Sequence, residues 1–189
     1  MKMLGKMMLV MSVALFAEIA SSQENTDQGG TSQIKISSQA GKPDGVENLA
    51  YVGNGAKVAT ASSQNPLDIH KAGGLNDGQY GNSNSWIGCA SMDWLKIELA
   101  KISAISVFKL GRDRTGVYSD RGIEYIKIEV STDGKQWKTV FEKDNLKSVE
   151  DYSANKTIEI RIAPVDAKFV KVTVNPAGTC IDEFEVYAK

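Results

Sequence analysis

Histidine is almost missing from this sequence: His70 is the only one in 189 residues, and cysteine occurs just twice, as Cys89 and Cys180. With one histidine, no His-Glu-x-x-His pattern and no Gly-x-Ser-x-Gly turn, the common hydrolase templates lack their residues. Carboxylates are frequent, but their spacing places no two of them across a cleft, so a non-enzymatic protein is expected. An excess of one charge is also absent, since 22 Lys and Arg face 23 Asp and Glu. That removes the electrostatic case for nucleic acid or for an anionic membrane. There is no fixed-period repeat, which excludes a solenoid. The one long apolar run, Met7 to Ala17, falls short of the roughly 20 residues that span a bilayer.

That run is flanked by Lys2 and Lys6 before it and by Ala20, Ser21 and Ser22 after it. This is the layout of a secretory signal peptide over 1–22, the alternative being a buried N-terminal helix. It predicts a secreted protein, extracellular or periplasmic according to the source. Residues 23–46 are rich in Gln, Ser, Gly, Asn and Thr and too poor in large apolar side chains to fold alone. They read as a flexible leader, in which Ile34 to Ile36 could add an edge strand. In an exported chain two cysteines usually pair. A Cys89–Cys180 bridge would close a loop worth roughly 4–5 kcal/mol, and the alternative is two free thiols. Asn155 begins the one glycosylation sequon, which matters only in a eukaryotic source.

From Asn48 onward apolar and polar residues alternate: Lys96 to Leu99, Ile126 to Val130, Thr157 to Ile162, Phe169 to Val174 and Glu183 to Tyr187. Period-two alternation buries one face of a strand and wets the other. Asp133-Gly134, Pro164 and Asn175-Pro176-Ala177-Gly178 punctuate the runs as turns. Six to eight short strands and no capped helical period predict an all-β, antiparallel sandwich over 47–189.

Two stretches break the rhythm, 64–88 and 111–122, and long loops on a β scaffold carry function. In the first, Asp77 lies among glycines with Asn82, Asn84 and Ser85 downstream. These are hard oxygen donors of the kind calcium takes, the alternative being a metal-free Asp-Gly turn. The second carries Arg112, Asp113, Arg114, Tyr118, Asp120 and Arg121, whose forked guanidinium and carboxylate groups suit sugar hydroxyls. The alternative is that these charges pair with one another and order the loop.

In order along the chain come Asn48-Leu49-Ala50, Ala59-Thr60-Ala61-Ser62-Ser63, Leu75-Asn76-Asp77-Gly78 and Ser85-Trp86. Trp94 to Leu99, Ile105 to Phe108, Tyr125 to Trp137 with its Ser-Thr-Asp-Gly, Phe169 to Val172 and Glu183 to Tyr187 complete the series. This set resembles the coagulation factor V/VIII C-type (discoidin) domain, a galactose-binding-like jelly roll, and looks most like its bacterial extracellular members. Glu98-Leu99-Ala100 stands where such domains often have Asp-Leu-Gly, and the cysteines are not at the extreme ends of the module.

The resemblance implies a structural calcium ion held by Asp77 and Glu183. Backbone oxygens of Gly74, Gln79 and Asp182, and oxygens near Asn82, Asn84 and Ser85, would complete its shell. It implies a ligand at the loop end, with His70, Arg112, Asp113, Tyr118 and Arg121 as contacts, and it places Trp86, Trp94 and Trp137 in the core. The expected function is recognition of a glycan on a cell surface or elsewhere, with oligomers adding avidity. The alternatives are a protein or cell-surface adhesion module, and phospholipid binding through Leu67, Ile69 or Val117 as apolar spikes. The balanced charge disfavours the last.

Overall fold

The computed structural model describes residues 32–37, 47–66, 69–113, 117–118, 120–150, 152–153 and 156–188. The predicted signal peptide, most of the leader, Leu67, Arg114 and Asn155 lie outside them. Among the described residues the regular structure is antiparallel β with four short 3-10 turns, as the alternation requires.

Two 19-residue strands carry the architecture, β4 (Asp93–Gly111) and β7 (Thr157–Asn175). The first half of β4 pairs with the second half of β7, from Asp93↔Val174 to Glu98↔Phe169. Its second half pairs with the first half of β7, from Ser103↔Ala167 to Leu110↔Ile158. The register shifts between Glu98 and Ser103, and again between Ile105 and Val107. Bulges of this kind bend a strand, so each long strand contributes to both layers. Pro164, expected as a turn between two strands, instead sits inside β7 where the ladder slips, a position that spares its missing N–H.

One layer runs β2 (Thr60–Ala61), β4, β7, β5 (Tyr125–Ser131), β6 (Lys138–Lys143). The other adds β9 (Glu183–Tyr187) to the second half of β4 and β1 (Gln33–Ser37) to the first half of β7. A separate ribbon joins β3 (Trp86–Ile87) to β8 (Cys180–Ile181). Between the layers lie Leu95, Ile97, Ile126, Ile128, Val170 and Val172 from one sheet and Phe108, Leu110, Ile160, Phe184 and Val186 from the other. Phe108 and Phe184 stack with ring centres 6.0 Å apart. Each such buried side chain stabilises by roughly 1.5–3 kcal/mol.

Within the leader, β1 is the edge strand that Ile34 to Ile36 could add. Gln33 to Ser37 pairs with Arg161 to Thr157 along its whole length, and Ile34 and Ile36 pack against the core. Two isoleucines at alternate positions suffice to dock on an otherwise open edge.

The outer face of the first sheet is a charge ladder. Lys57 and Lys168 reach Glu98 at 2.7 and 3.1 Å, and Lys171 and Lys127 reach Glu129 at 2.7 and 3.3 Å. Burial raises the Glu129 carboxyl, but Lys171 and Lys127 outweigh it and hold the group below its ordinary value. Lys109 and Arg161 do the same for Glu159 on the other sheet. A carboxyl lowered on folding contributes stability above its unfolded pKa and loses it as pH falls through the folded one. The melting temperature is therefore expected to hold down to about pH 5 and to drop below about pH 4. Glu129→Gln should flatten that drop in thermal melts at graded pH.

Candidate ligand-binding end

Because both long strands fold over at their bulges, the start of β4, its end, the end of β7 and the start of β9 meet at one end of the sandwich. The β3–β8 ribbon ties them together: Ile87 pairs with Cys180, the Gly88 amide donates to the Thr179 carbonyl (3.1 Å), and the Asp182 amide donates to the Gly111 carbonyl (3.0 Å). Behind the ribbon, buried Asp93 accepts hydrogen bonds from Ser62 Oγ (2.5 Å), Ser63 Oγ (2.7 Å) and the Ala90 amide (2.8 Å).

The glycine loop after Asn76 is folded onto β9. Strict alternation would turn Glu183, Glu185 and Tyr187 toward water, yet all three are buried, because the loop covers that face. Both carboxylate oxygens of Glu183 accept the Gly78 amide, at 3.1 and 3.2 Å, and Asp182 Oδ2 accepts the Gly81 amide at 3.2 Å. Tyr80 Oη donates to Glu185 Oε1 (2.9 Å), and the Tyr187 hydroxyl donates to the same carboxylate. Gly78 and Gly81 have φ of 78° and 102°, values that glycine adopts without steric cost. Buried Asn76 closes the base of the loop by accepting the Ala59 amide (3.0 Å) and donating to the Ala50 (2.7 Å) and Lys57 (2.9 Å) carbonyls.

The residues expected to hold calcium are spread along this loop. The Asp77 carboxylate turns back onto the Gln79 amide (2.8 Å), and burial raises its pKa against that hydrogen bond. Gly74 presses on the turn at Asn84, where a Cβ would stand 2.4 Å from the Asn84 carbonyl oxygen. The Asn82 carbonyl accepts Ser85 Oγ (2.6 Å), and Asn84 Nδ2 donates to the Tyr80 carbonyl (3.1 Å). Among the described residues, no three His, Cys, Asp or Glu side chains converge as a metal cluster. Oxygen donors thus line both sides of the loop, with the Asp77 carboxylate turned aside.

Of the five expected ligand contacts, Arg112, Asp113 and Tyr118 form one cluster, and Asp120 links Arg121 to it. Arg112 Nη2 donates to Asp120 Oδ1 (2.5 Å), and Arg121 Nε lies 3.5 Å from Asp120 Oδ2. The Arg112 guanidinium sits 5.4 Å from the Tyr118 ring centre, and Asp113 Oδ2 accepts the Tyr118 amide (2.9 Å). Arg112 is only 2% exposed, so it organises the loop from beneath, and its Nε and Nη1 make no hydrogen bond among the described residues. Tyr118 is 50% exposed. His70, expected on the ligand face, is 6% exposed, with Nδ1 3.1 Å from Ser85 Oγ. It buttresses the Asn82–Ser85 turn from behind. Between that turn and Asp113, Val117 and Tyr118 opens a cleft of about 330 Å³, lined also by Asn82, Ser83 and Asn84.

Two expectations are corrected here. The Cys89–Cys180 bridge is absent, since both thiols are free, Cys89 exposed and Cys180 buried. Cys180 lies inside the β3–β8 ribbon opposite Ile87, whereas Cys89 lies beyond the end of β3 at the surface. Of the three tryptophans only Trp86 is core. Trp94 is 37% exposed, with Lys96 over its ring at 5.9 Å, and Trp137 is half-buried under Lys171 at 4.8 Å. On β4, Leu95 and Ile97 take the inward positions, so the alternation that buries them turns Trp94 out.

The F5/8 type C domain model matches residues 58–182. The chain belongs to that family. Among solved structures it is similar to the Clostridium perfringens module CpGH89CBM32-5 in complex with GalNAc-β-1,3-galactose, at 20% identity, TM-score 0.62, and coverage of 75% of this chain and 100% of that one. The family 32 module of C. perfringens NanJ in complex with galactose matches at 18% identity and TM-score 0.58, over 75% and 98% of the two chains. Chitosan-binding module 2 of a Paenibacillus sp. IK-5 chitosanase/glucanase, in complex with chitotriose, matches at 28% identity and TM-score 0.57, over 75% and 100%. No curated protein matches. This F5/8 type C fold carries the galactose-binding-like sandwich that the residue series implied.

Tyr80, Glu185 and Asp93 also belong to this end, and no local signal in the sequence marks them. The Glu-x-Glu-x-Tyr spacing of β9 was legible, but the loop that covers it was not. Burial pushes the Cys180 thiol up to about 11, so at neutral pH it is neutral as well as shielded. A thiol-reactive chromophore is expected to label Cys89 alone in the native protein and both cysteines after denaturation. Two native equivalents, or none, would contradict this arrangement.

Proposed function

We propose that this protein is a secreted, non-catalytic carbohydrate-binding module whose glycan seats in the cleft between the Asn82–Asn84 turn and Asp113, Val117 and Tyr118. The observation that carries the reading is the lining of that cleft. Two amides and a hydroxyl face one half-exposed aromatic ring, which a buried arginine steadies and whose backbone amide the buried Asp113 carboxylate holds. Amide groups offer paired donors and acceptors to vicinal hydroxyls, and an aromatic plane suits the apolar face of a sugar ring. The sugar complexes of the similar solved modules support the same ligand class, and the N-terminal pattern of Lys2, Lys6 and the Met7–Ala17 run supports export. Binding moves no bond, so these residues would only orient and desolvate the ligand. A glycan panel is expected to yield ligands, and Tyr118→Ala should weaken their binding roughly tenfold, the order of one lost aromatic contact. A panel with no ligand at high protein concentration would sink the reading in favour of a protein-adhesion module.

We further propose that the glycine loop holds a structural calcium ion. The donor set is chemically suited. Three carboxylates border the loop: Asp182 and Glu183 are buried on its β9 side and accept the Gly81 and Gly78 amides, and Asp77, turned onto the Gln79 amide, would swing inward to join them around the ion. Hard cations select such oxygen ligands in glycine-bearing loops. Calcium would supply positive charge beside the acids and tighten the join between loop and β9. Added calcium should raise the melting temperature by several degrees, chelation should reverse the rise, and Asp77→Ala should abolish it. An unchanged melt of the wild-type protein would count against the site.

A further inference from the structure

We propose that the outer face of the first sheet is an interaction surface separate from the cleft, and that its partner is a linear anionic polysaccharide. On that face the strands register as rows. Trp94, Thr173 and Lys127 stand side by side on β4, β7 and β5, and Lys96, Lys171 and Glu129 form the next row. Glu98 and Phe169 begin a third, where Lys57 and Lys168 both reach the Glu98 carboxylate. The alternate residues Leu95, Ile97, Val170 and Val172 are buried in the core, so the rows face outward.

The charges on this face are sorted by height. Two carboxylates serve four lysines, Glu98 taking Lys57 and Lys168 and Glu129 taking Lys127 and Lys171. The Glu98 and Glu129 side chains are 23% and 13% exposed, whereas those lysines run from 27% for Lys171 to 71% for Lys57. The acids lie beneath and the ammonium groups on top. Lys96 is a fifth cation and makes no ion pair among the described residues. It stands directly opposite Lys171, and like charges so placed destabilise a sheet. Glu142, opposite Lys127 at the far edge, accepts the Tyr125 hydroxyl at 2.8 Å. Positive charge is therefore in excess over β4 and β7, on a chain whose net charge is −1.

Three aromatic rings stand under these cations. Lys96 lies 5.9 Å from the Trp94 ring centre, Lys168 5.7 Å from Phe169 and Lys171 4.8 Å from Trp137. An acidic sugar answers both groups. Its anion draws the ammonium to itself, and its apolar face meets the ring that the ammonium uncovers. Strands about 4.8 Å apart spread the cations over roughly 14 Å, from beside β2 to β5. Such a row suits a chain of anions better than a single one. The balanced charge of the whole protein disfavours nucleic acid, and the carbohydrate reading, on which this choice of partner rests, favours a polysaccharide.

The test titrates the full chain at low salt with dextran sulfate and with unmodified dextran of equal length. Dextran sulfate should bind, dextran should not, and the affinity should fall as salt is added. Lys96→Gln combined with Lys168→Gln should weaken binding roughly tenfold, the order expected for two exposed charge contacts. The melting temperature of that variant should hold, because Lys57 still serves Glu98 and Lys96 has no ion pair to lose. Lys35→Gln combined with Lys101→Gln, which removes exposed lysines on β1 and at the bend of β4, should leave binding unchanged, and so should Tyr118→Ala. Three results would overturn the proposal: no binding of dextran sulfate, an equal loss from the two lysine pairs, or tighter binding of a single-stranded oligonucleotide of equal charge. If panel glycans bind in a Tyr118-dependent way while dextran sulfate does not bind, the carbohydrate reading stands without this surface. If dextran sulfate alone binds, this surface stands and the cleft reading falls; if neither binds, both fall.

Discussion

The loop end of the sandwich depends on three buried acids. Asp182, Glu183 and Glu185 lie at the start of the last strand and on its outward face. They accept the Gly78 and Gly81 amides and the Tyr80 and Tyr187 hydroxyls. An unpaired buried carboxylate costs several kcal/mol, and each of these is matched to donors of the loop that covers it. The loop is thereby fixed against β9, which fixes the Asn82–Ser85 turn, which forms one wall of the main cleft. Removing one acid would leave loop amides without acceptors and slacken that wall, although the hydrophobic core would be untouched.

A similar division of labour governs the other wall. Arg112 is buried, and its guanidinium faces the Tyr118 ring and bonds Asp120, while Asp113 receives the Tyr118 amide. The alternative considered for these charges, that they pair and order their own loop, describes Arg112 and Asp120 well. It describes Tyr118 poorly, because half of that ring remains in solvent. The ordering role and the binding role proposed here therefore fall on different side chains, with Arg112 and Asp113 beneath and the Tyr118 ring on top.

Much of the fold was legible because a half-buried strand writes its period into the sequence. Lys96 to Leu99, Ile126 to Val130 and Glu183 to Tyr187 are strands with the expected inward residues. The leader was partly legible, since Ile34 and Ile36 show the same period in miniature. What failed to show was whatever depends on a second layer of chain. Thr157–Ile162 and Phe169–Val174 read as two strands because Pro164 looks like a stop, whereas a bulge lets one strand bend through it. Trp94 was expected inside from the family resemblance, yet its neighbours Leu95 and Ile97 take the core side. Cys89 and Cys180 were paired by count, and the fold leaves one at the surface and buries the other. His70 was expected to face the ligand because polar residues surround it in the chain, and those neighbours do not reveal that Ser85 closes over it.

β1 runs antiparallel to β7, with Ser37 beside Thr157 at the loop end and Gln33 beside Arg161 nearer the bends. Gln33, the first residue of β1, therefore lies on the side away from the cleft. Anything that gripped the protein at that end of β1 would hold it from behind, like a handle, and leave the cleft facing outward.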